Sequence, residues 1–278
     1  MGIAVQNVFK DLTYYSLFDV AEKARWLMTD IPWNEIDHSK VNDELIELVK
    51  TIAFGELTTY SATRSFMEMF ADDIDFTQWL AVWLYEETKH PHALIKWLHM
   101  VGAEVEGRFL MQGREITPMT PSRVEMLSFN VISEIVAGNT YAQTVELVDE
   151  PVLKQIAHHL AKDEMRHSVG FENYCRLCIQ NAADPDLERI TCLRAAWAFL
   201  QDDGLINHPV FITVRNLDGV IGTETVKKIR KQVASRIGKL AGVDIPDPDR
   251  IFEVYSDFKK QYRQRKKASA LETAGVAV

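Results

Sequence analysis

The residues of this chain most capable of chemistry are glutamates placed three positions before a histidine. The pattern Glu-x-x-His occurs three times, at Glu35/His38, Glu87/His90 and Glu164/His167. With 8 histidines among 278 residues, chance alone is expected to produce roughly 0.6 copies, so the bare pattern is weak evidence. The residues around each copy must therefore show whether it belongs to a functional site or occurs by chance.

The three copies lie in different surroundings. The copy at Glu35 follows Pro32 in a polar stretch, and we interpret it as a coincidence in a loop. The other two lie inside apolar helical patterns, where positions i and i+3 share one face. In segment 151–181 that face is apolar except around Glu164 and His167. An acid and an imidazole thus interrupt a stripe of core residues.

Two further acids occupy similar settings, Glu56 in "TIAFGELTTYSA" and Glu134 in "FNVISEIVAGNTY". Glu56 precedes Glu87 by 31 residues, and Glu134 precedes Glu164 by 30. Such spacings suit antiparallel pairs of helices of about 25 residues with the acids facing each other. The middle spacing of 47 residues contains a Gly/Pro-rich connection that can cross the bundle. Glu from two helices and Glu-x-x-His from two others form the ferritin-like two-metal site.

Charge balance supports a metal site. Four buried carboxylates without counterions cost several kcal/mol each and take up protons instead. Two divalent metals balance the four negative charges, and oxygen and imidazole nitrogen donors suit Fe(II) or Mn(II). The predicted ligands are Glu56, Glu87, His90, Glu134, Glu164 and His167.

The elements that must position these ligands are helical almost throughout. Apolar periodicity predicts helices at 41–70, 76–101, 121–147, 151–181, 185–203, 222–241 and 248–267. The fold class is all-α, a ferritin-like four-helix bundle with one long crossover (102–121) and additional N- and C-terminal helices. We expect a single domain over 1–267, with a bundle core at about 41–181 and a disordered tail at 268–278.

Composition narrows the class of protein. The chain is 47% hydrophobic and 26% charged, as in ordinary globular proteins, and it lacks an apolar run long enough to span a membrane. Three cysteines cannot form a disulfide framework, which favours a reducing cytoplasm. We interpret the C-x-x-C pair Cys175 and Cys178 as buried thiols.

The net charge of −9 is unevenly distributed. Residues 1–220 carry a net −15, whereas 221–267 hold 13 basic and 6 acidic residues. The basic region is either a solvated helical surface or a docking site for an acidic partner. We expect no nucleic-acid partner.

At these motifs the sequence resembles the soluble acyl-acyl carrier protein desaturases. "YEETKH" and "KDEMRH" resemble that family's E-E-x-x-H and D-E-x-R-H motifs, and "GNTYAQ" is similar to its G-N-T segment. The resemblance covers about 45–180 and implies two irons on the six ligands, with a Mn/Fe pair as a variant. It implies that Asp163 hydrogen-bonds to His90 and that Arg166 joins the same network; an ion pair without function is the alternative.

The resemblance also implies partners. They are a ferredoxin-type electron donor, an acyl substrate that can be carried by an acidic acyl carrier protein, and a second copy of the chain in a homodimer. The basic 221–267 region is a candidate docking site for either acidic protein.

Two residues depart from the family's pattern. Ala137 replaces a threonine that some members place near the iron, which leaves the oxygen chemistry open. Pro91 follows His90 directly and lacks the N–H that would bond the Glu87 carbonyl. We predict a bulge or a bend of the helix here; the alternative is that the helix breaks and restarts at Pro91.

The predicted function is an O2-dependent oxidase that abstracts hydrogen from an unactivated C–H bond in an apolar channel. The predicted channel residues are Thr59, Tyr60, Thr63, Trp83, Asn130, Ala137, Gly138, Leu160 and Phe171. One alternative is a di-iron hydroxylase or N-oxygenase of secondary metabolism; arylamine N-oxygenases add a histidine where this chain has Leu160. A second alternative is a metal-storage or metal-sensing protein, which the nearly 100 residues after the fourth helix disfavour. A third is a metal-free bundle that binds lipid or partners.

Overall fold

The computed structural model describes residues 12–115, 120–201 and 221–273. Within these ranges the chain forms ten α-helices and no β-strand. The helices are α1 (Thr13–Ala24), α2 (Asp43–Leu57), α3 (Thr59–Met69), α4 (Ile74–Met100), α5 (Gly107–Glu115), α6 (Arg123–Leu147), α7 (Pro151–Asn181), α8 (Pro185–Gln201), α9 (Thr223–Ala241) and α10 (Ile251–Thr273). The predicted all-α class is confirmed.

The bundle consists of two helix pairs. Helices α6 and α7 are joined by three residues and pack along their lengths, and α2 with α3 packs against α4. The segment between α4 and α6 crosses from one pair to the other and contains α5. Helix α1 covers α4 and α7. Helices α8 and α9 pack beside α6 and against each other, and α10 packs against α8. This is the predicted bundle with a crossover and additional helices at both ends.

The core is divided by a polar layer at the middle of the bundle. One apolar cluster contains the aromatic residues Phe66, Trp79 and Phe171, and a second contains Trp97 and Leu160. On α4 and α7 the two Glu-x-x-His motifs lie between the stretches that enter these clusters. Apolar packing on both sides therefore holds the motifs at one level of the bundle.

Side-chain caps define where the bundle helices begin. Ser122 accepts a hydrogen bond from the Glu125 N–H at the start of α6, so this helix begins after Pro121 rather than with it. Glu150 caps α7 by accepting from the N–H groups of Val152 and Leu153. Both caps satisfy donors that have no partner in the first helical turn.

The predicted connection 102–121 contains a helix that the sequence does not predict, α5. Gly113 allows α5 to approach the end of α2, since a Cβ at this position would lie 2.5 Å from the Cβ of Leu57. Packing against α2 therefore stabilises a glycine-containing segment that has low intrinsic helix propensity.

The predicted helix 41–70 is interrupted at Thr58. The Thr58 N–H bonds to the carbonyls of Gly55 and Glu56, and its hydroxyl also donates to Gly55 at 2.7 Å. These local bonds replace the regular i to i−4 pattern. The break directly follows Glu56, and it separates α2 from α3 beside the polar layer.

Helix α4 runs without interruption through Pro91. The alternative that the helix breaks and restarts at Pro91 is therefore wrong, and no π-helical bulge is present among the described residues. Packing of α4 against α2 and α7 compensates for the lost hydrogen bond at the Glu87 carbonyl. A bend of the helix axis at this point stays a prediction.

The C-terminal helix extends beyond the predicted end at 267. Helix α10 continues to Thr273, and 274–278 lie outside the described residues, so the domain and tail boundaries stay predictions. Cys175 and Cys192 are buried and Cys178 is half-buried; all three are free thiols.

None of the described helices combines the length and apolarity that crossing a bilayer requires.

Candidate metal centre

The structure brings all six predicted ligands together in the polar layer. They form two groups whose donor atoms lie within 4.8 Å of one another: Glu56, Glu87, His90 and Glu164 in one, and Glu87, Glu134, Glu164 and His167 in the other. Glu87 and Glu164 belong to both groups. Two carboxylates shared between two sets of donors are the arrangement expected for a pair of bridged metal ions. By contrast, Glu35 and His38 are exposed in short 3-10 turns, in agreement with a coincidence.

Both imidazoles direct Nδ1 toward the carboxylates at the centre. His90 Nδ1 lies 3.3 Å from Glu56 and 3.2 Å from Glu164. His167 Nδ1 lies 2.8 Å from Glu87 and 3.5 Å from Glu164. The two sets are therefore related by an approximate symmetry that exchanges α4 with α7.

A second set of charged groups holds the other side of each imidazole. His90 Nε2 lies 3.3 Å from Asp163 Oδ2, and His167 Nε2 lies 3.0 Å from Glu86 Oε2. Arg166 donates to both acids, at 2.7 Å to Glu86 and 2.8 Å to Asp163. An acid on Nε2 orients the ring and keeps the proton there, so that Nδ1 is free to bind a metal.

Glu86 is the functional residue that the sequence interpretation missed. Its position before Glu87 matches that of Asp163 before Glu164, and this repeat of acid–Glu-x-x-His was the signal available. Each acid comes from one helix and bonds the histidine of the facing helix.

The segment after α1 closes the network from outside. Trp26 Nε1–H donates to Asp163 at 2.7 Å, and its ring stacks on His159. Lys89, which is largely buried, donates to the Trp26 carbonyl at 3.2 Å and lies 4.6 Å from the Trp26 ring centre. Asp163 thereby keeps three partners, and its carboxylate cannot rotate away from His90.

Tyr141 fixes the ligand on α2. Its hydroxyl is fully buried and donates to Glu56 Oε1. On the other side of the centre, Thr59 donates to Glu87 Oε2 at 3.1 Å. The break at Thr58 places this hydroxyl at the first position of α3. These neutral donors orient two carboxylates without adding charge.

Protons and cations compete for the same buried groups in this centre. Burial raises the pKa of Glu56 to about 7, and the Glu164 charge adds to this effect. Burial likewise raises the pKa of Glu134 well above its usual range. Burial disfavours the protonated form of His90, yet the surrounding carboxylates outweigh it and raise the pKa of this histidine. Since metal ligands must be deprotonated, a bound cation competes with these protons.

The donor set fits two metal ions. Nδ1 of His167 and Oε1 of Glu87 lie 2.8 Å apart, yet neither makes a hydrogen bond with any described group. Buried polar atoms are rarely left without partners. A cation lying between these two atoms would satisfy the lone pairs of both. Carboxylate oxygen and imidazole nitrogen are donors that suit Fe(II) and Mn(II).

A cavity opens beside the carboxylates. It encloses about 700 Å³ of space, including its opening, and lies between α2, α3, α4 and α6. Among the predicted channel residues, Thr59, Trp83, Asn130 and Ala137 line it.

The other predicted channel residues lie elsewhere. Tyr60 is half exposed, and Thr63 bonds the Thr59 carbonyl at 2.8 Å. Leu160 and Phe171 are packed in the two apolar clusters. Gly138 serves a close approach of helices, because a Cβ there would lie 3.3 Å from the Cβ of Glu164. Helical phase places residues on a face but does not show which of them border empty space.

Replacing Glu86 by glutamine is expected to weaken metal binding about 10- to 100-fold, because His167 loses the charged acceptor that orients it. Fe(II) titration under anaerobic conditions measures the affinity. Glu44→Gln, at an exposed position near the start of α2, serves as the control. Equal affinities for Glu86→Gln and the unchanged protein would show that Glu86 does not support the ligand.

The comparison with solved structures identifies a protein of similar fold. No family model and no curated protein sequence matches the chain. Among solved structures, the R2-like ligand-binding oxidase from Sulfolobus acidocaldarius is similar, with a TM-score of 0.60 and 16% sequence identity, over 90% of this chain and 98% of that chain. The likeness does not single out the acyl carrier protein desaturases. The chain therefore has a ferritin-like helical bundle fold.

Proposed function

We propose that this protein is an O2-dependent di-iron oxidase that attacks an unactivated C–H bond of an organic substrate. The observation that carries the proposal is the pair of donor groups sharing Glu87 and Glu164, with both of these glutamates on the wall of the cavity. A substrate in that cavity would lie directly beside the metals. A storage protein has no need of such a cavity.

Each part of the centre has a defined role in this proposal. Two iron ions, or a Mn/Fe pair, would supply the reduction of O2 and the oxidising power when bound. Glu87 and Glu164 would contribute to both metal sets; Glu56 and His90 would complete one set, and Glu134 and His167 the other. Asp163, Glu86 and Arg166 hold the imidazoles in the binding orientation.

The electron balance requires an external reductant. Four electrons convert O2 to water, and removal of two hydrogen atoms from a substrate, or insertion of one oxygen atom, supplies only two. A ferredoxin-type protein is the proposed source of the other two. On α10, Lys260, Arg263 and Lys267 line a surface cleft with Trp197 and form no ion pair among the described residues. This basic cleft suits an acidic electron donor.

Two classes of substrate are candidates. The resemblance favours an acyl chain, carried by an acyl carrier protein or free, which would lose hydrogen to form a double bond. The alternative is hydroxylation or N-oxidation of a more polar small molecule. None of the residues that line the cavity belongs to the basic segment 221–267, so an acyl carrier protein bound to the α10 cleft would not lie at the cavity wall.

The test is turnover with mass-spectrometric detection. The protein is loaded with Fe(II) without oxygen, then supplied with a reductant, O2 and a panel of acyl-carrier-protein, free acyl and hydroxylated or amide substrates. Loss of two hydrogen atoms indicates desaturation, and gain of one oxygen atom indicates hydroxylation. The Glu87→Ala protein is the control. No product from any substrate while iron is bound would contradict the proposed function.

A further inference from the structure

Besides Glu87 Oε1 of the proposed metal centre, two buried polar atoms on the cavity wall have no hydrogen-bond partner among the described residues. They are Nε1 of Trp83 and Oδ1 of Asn130, on side chains that are 2% and 3% exposed. Both residues line the cavity beside the carboxylates. A buried donor or acceptor without a partner weakens folding or binding roughly 5- to 150-fold. A ligand that pairs with them would recover this loss.

Most hydroxyl groups of the same wall are already satisfied within the protein, although the Ser133 hydroxyl has no partner among the described residues. Thr58 donates to the Gly55 carbonyl at 2.7 Å, and Thr140 donates to the Val136 carbonyl at 2.9 Å. Thr59 donates to a carboxylate of the centre. The two unpaired atoms are therefore specific features of the wall and not the general state of its polar groups.

A metal does not account for the unpaired atom of Trp83. The indole Nε1 of Trp83 carries a hydrogen and can only donate. The Trp83 ring is held by edge contacts with Phe66, Phe171 and His167, so packing sets the direction of its N–H. Asn130 lies four residues before Glu134 on α6, which places both on the cavity face of this helix.

The charge of the wall restricts the ligand further. The carboxylates that line the cavity are the proposed ligands Glu56, Glu87, Glu134 and Glu164, and two divalent ions would balance them. No lysine or arginine borders the cavity in the ranges that the structure describes. A free carboxylate or ammonium group would find no counterion here, which favours a neutral ligand.

We infer that the substrate places in this cavity a neutral group that both accepts and donates hydrogen bonds, a hydroxyl or a carboxamide, which accepts from Trp83 Nε1–H and donates to Asn130 Oδ1. The inference rests on the proposed function for its view of the cavity as the substrate site. An unsubstituted acyl chain would leave both atoms without partners. The pair therefore favours an oxygenated or amide-bearing substrate over a plain hydrocarbon chain.

The test compares two probes of the same shape, hexanamide and the hydrocarbon 2-methyl-1-heptene. Protein loaded with Fe(II) and kept without oxygen is dialysed to equilibrium with each probe, and bound probe is measured by gas chromatography. Trp83→Phe and Asn130→Leu are each expected to weaken hexanamide binding about 10-fold relative to the hydrocarbon. Thr144→Val, a buried α6 hydroxyl that bonds the Thr140 carbonyl and does not line the cavity, is expected to change neither.

Three results would overturn the inference. Hexanamide does not bind the unchanged protein, or it binds both variants as tightly as the unchanged protein, or each variant weakens both probes equally. Iron content and thermal unfolding are measured on every variant, so that a misfolded protein is recognised and replaced by Asn130→Val or Trp83→Leu, which also remove the acceptor or the donor. Because no oxygen is present, a protein without oxidase activity would disprove the proposed function and still leave these binding ratios measurable.

Discussion

Replacing Glu87 by alanine is expected to abolish occupancy by two metals in protein reconstituted anaerobically with Fe(II). Glu87 belongs to both donor groups, so its loss removes one donor from each set and leaves three carboxylates to balance two divalent ions. Its Oε1 also lies 2.8 Å from His167 Nδ1, where a shared cation is expected. Iron content per chain after gel filtration, together with the iron absorption spectrum on exposure to O2, measures the effect.

The matched control is Glu47→Ala. Glu47 lies on α2, nine residues before Glu56, and its exposed side chain pairs only with Lys50 among the described residues. We expect this variant to bind iron as the unchanged protein does. Full iron content in Glu87→Ala, with thermal unfolding unchanged, would refute the assignment of Glu87 as a bridging ligand and with it the arrangement of the whole centre.

Replacing Arg166 by leucine is expected to destabilise the metal-free protein by about 3 kcal/mol, because removing one partner leaves a buried charge uncompensated. Arg166 is 13% exposed, and its partners Glu86 and Asp163 are 5% and 1% exposed. Burial opposes the charge of Asp163, yet His90, Arg166 and their neighbours hold its pKa below the usual range. The neutralising guanidinium is thus part of what keeps both acids ionised.

Urea unfolding of the metal-free protein measures this loss. Arg176→Leu on the same helix is the control, since Arg176 is 47% exposed and its partner Glu172 keeps Arg236 as a second cation; exposed pairs contribute about 0–1 kcal/mol. Arg166→Lys keeps the charge but loses the planar group that reaches both acids, so we expect an intermediate effect. A loss no larger for Arg166→Leu than for the control would show that the acids do not depend on Arg166.

The helical period explains why the sequence is informative about the centre. Glu164 and His167 share a face in any α-helix, and spacings near 30 residues place acids of paired helices at one level. These relations depend only on helix geometry, which local sequence determines. The six residues that the structure brings together are the six that this reasoning selects.

Contacts between distant segments required the tertiary structure. Trp26 and Asp163 are 137 residues apart, and no local pattern links them. Glu86 lies next to Glu87 in the chain, yet its partner His167 belongs to a facing helix. The direction of a residue beside a ligand depends on how the two helices are rotated about their axes, and packing of the apolar clusters sets that rotation.

Interruptions within the helices likewise depend on tertiary packing as well as on local sequence. Pro91 predicts a disturbed helix, but α4 continues through it because contacts with its neighbours outweigh the local cost. Thr58 carries no strong breaking signal, yet α2 ends there. Sequence alone therefore determined the all-α class, the pairing of helices and the six candidate ligands, since these follow from periodicity. The tertiary structure alone decided the network around the histidines, the cavity and its two unpaired polar atoms, because these depend on which surfaces meet.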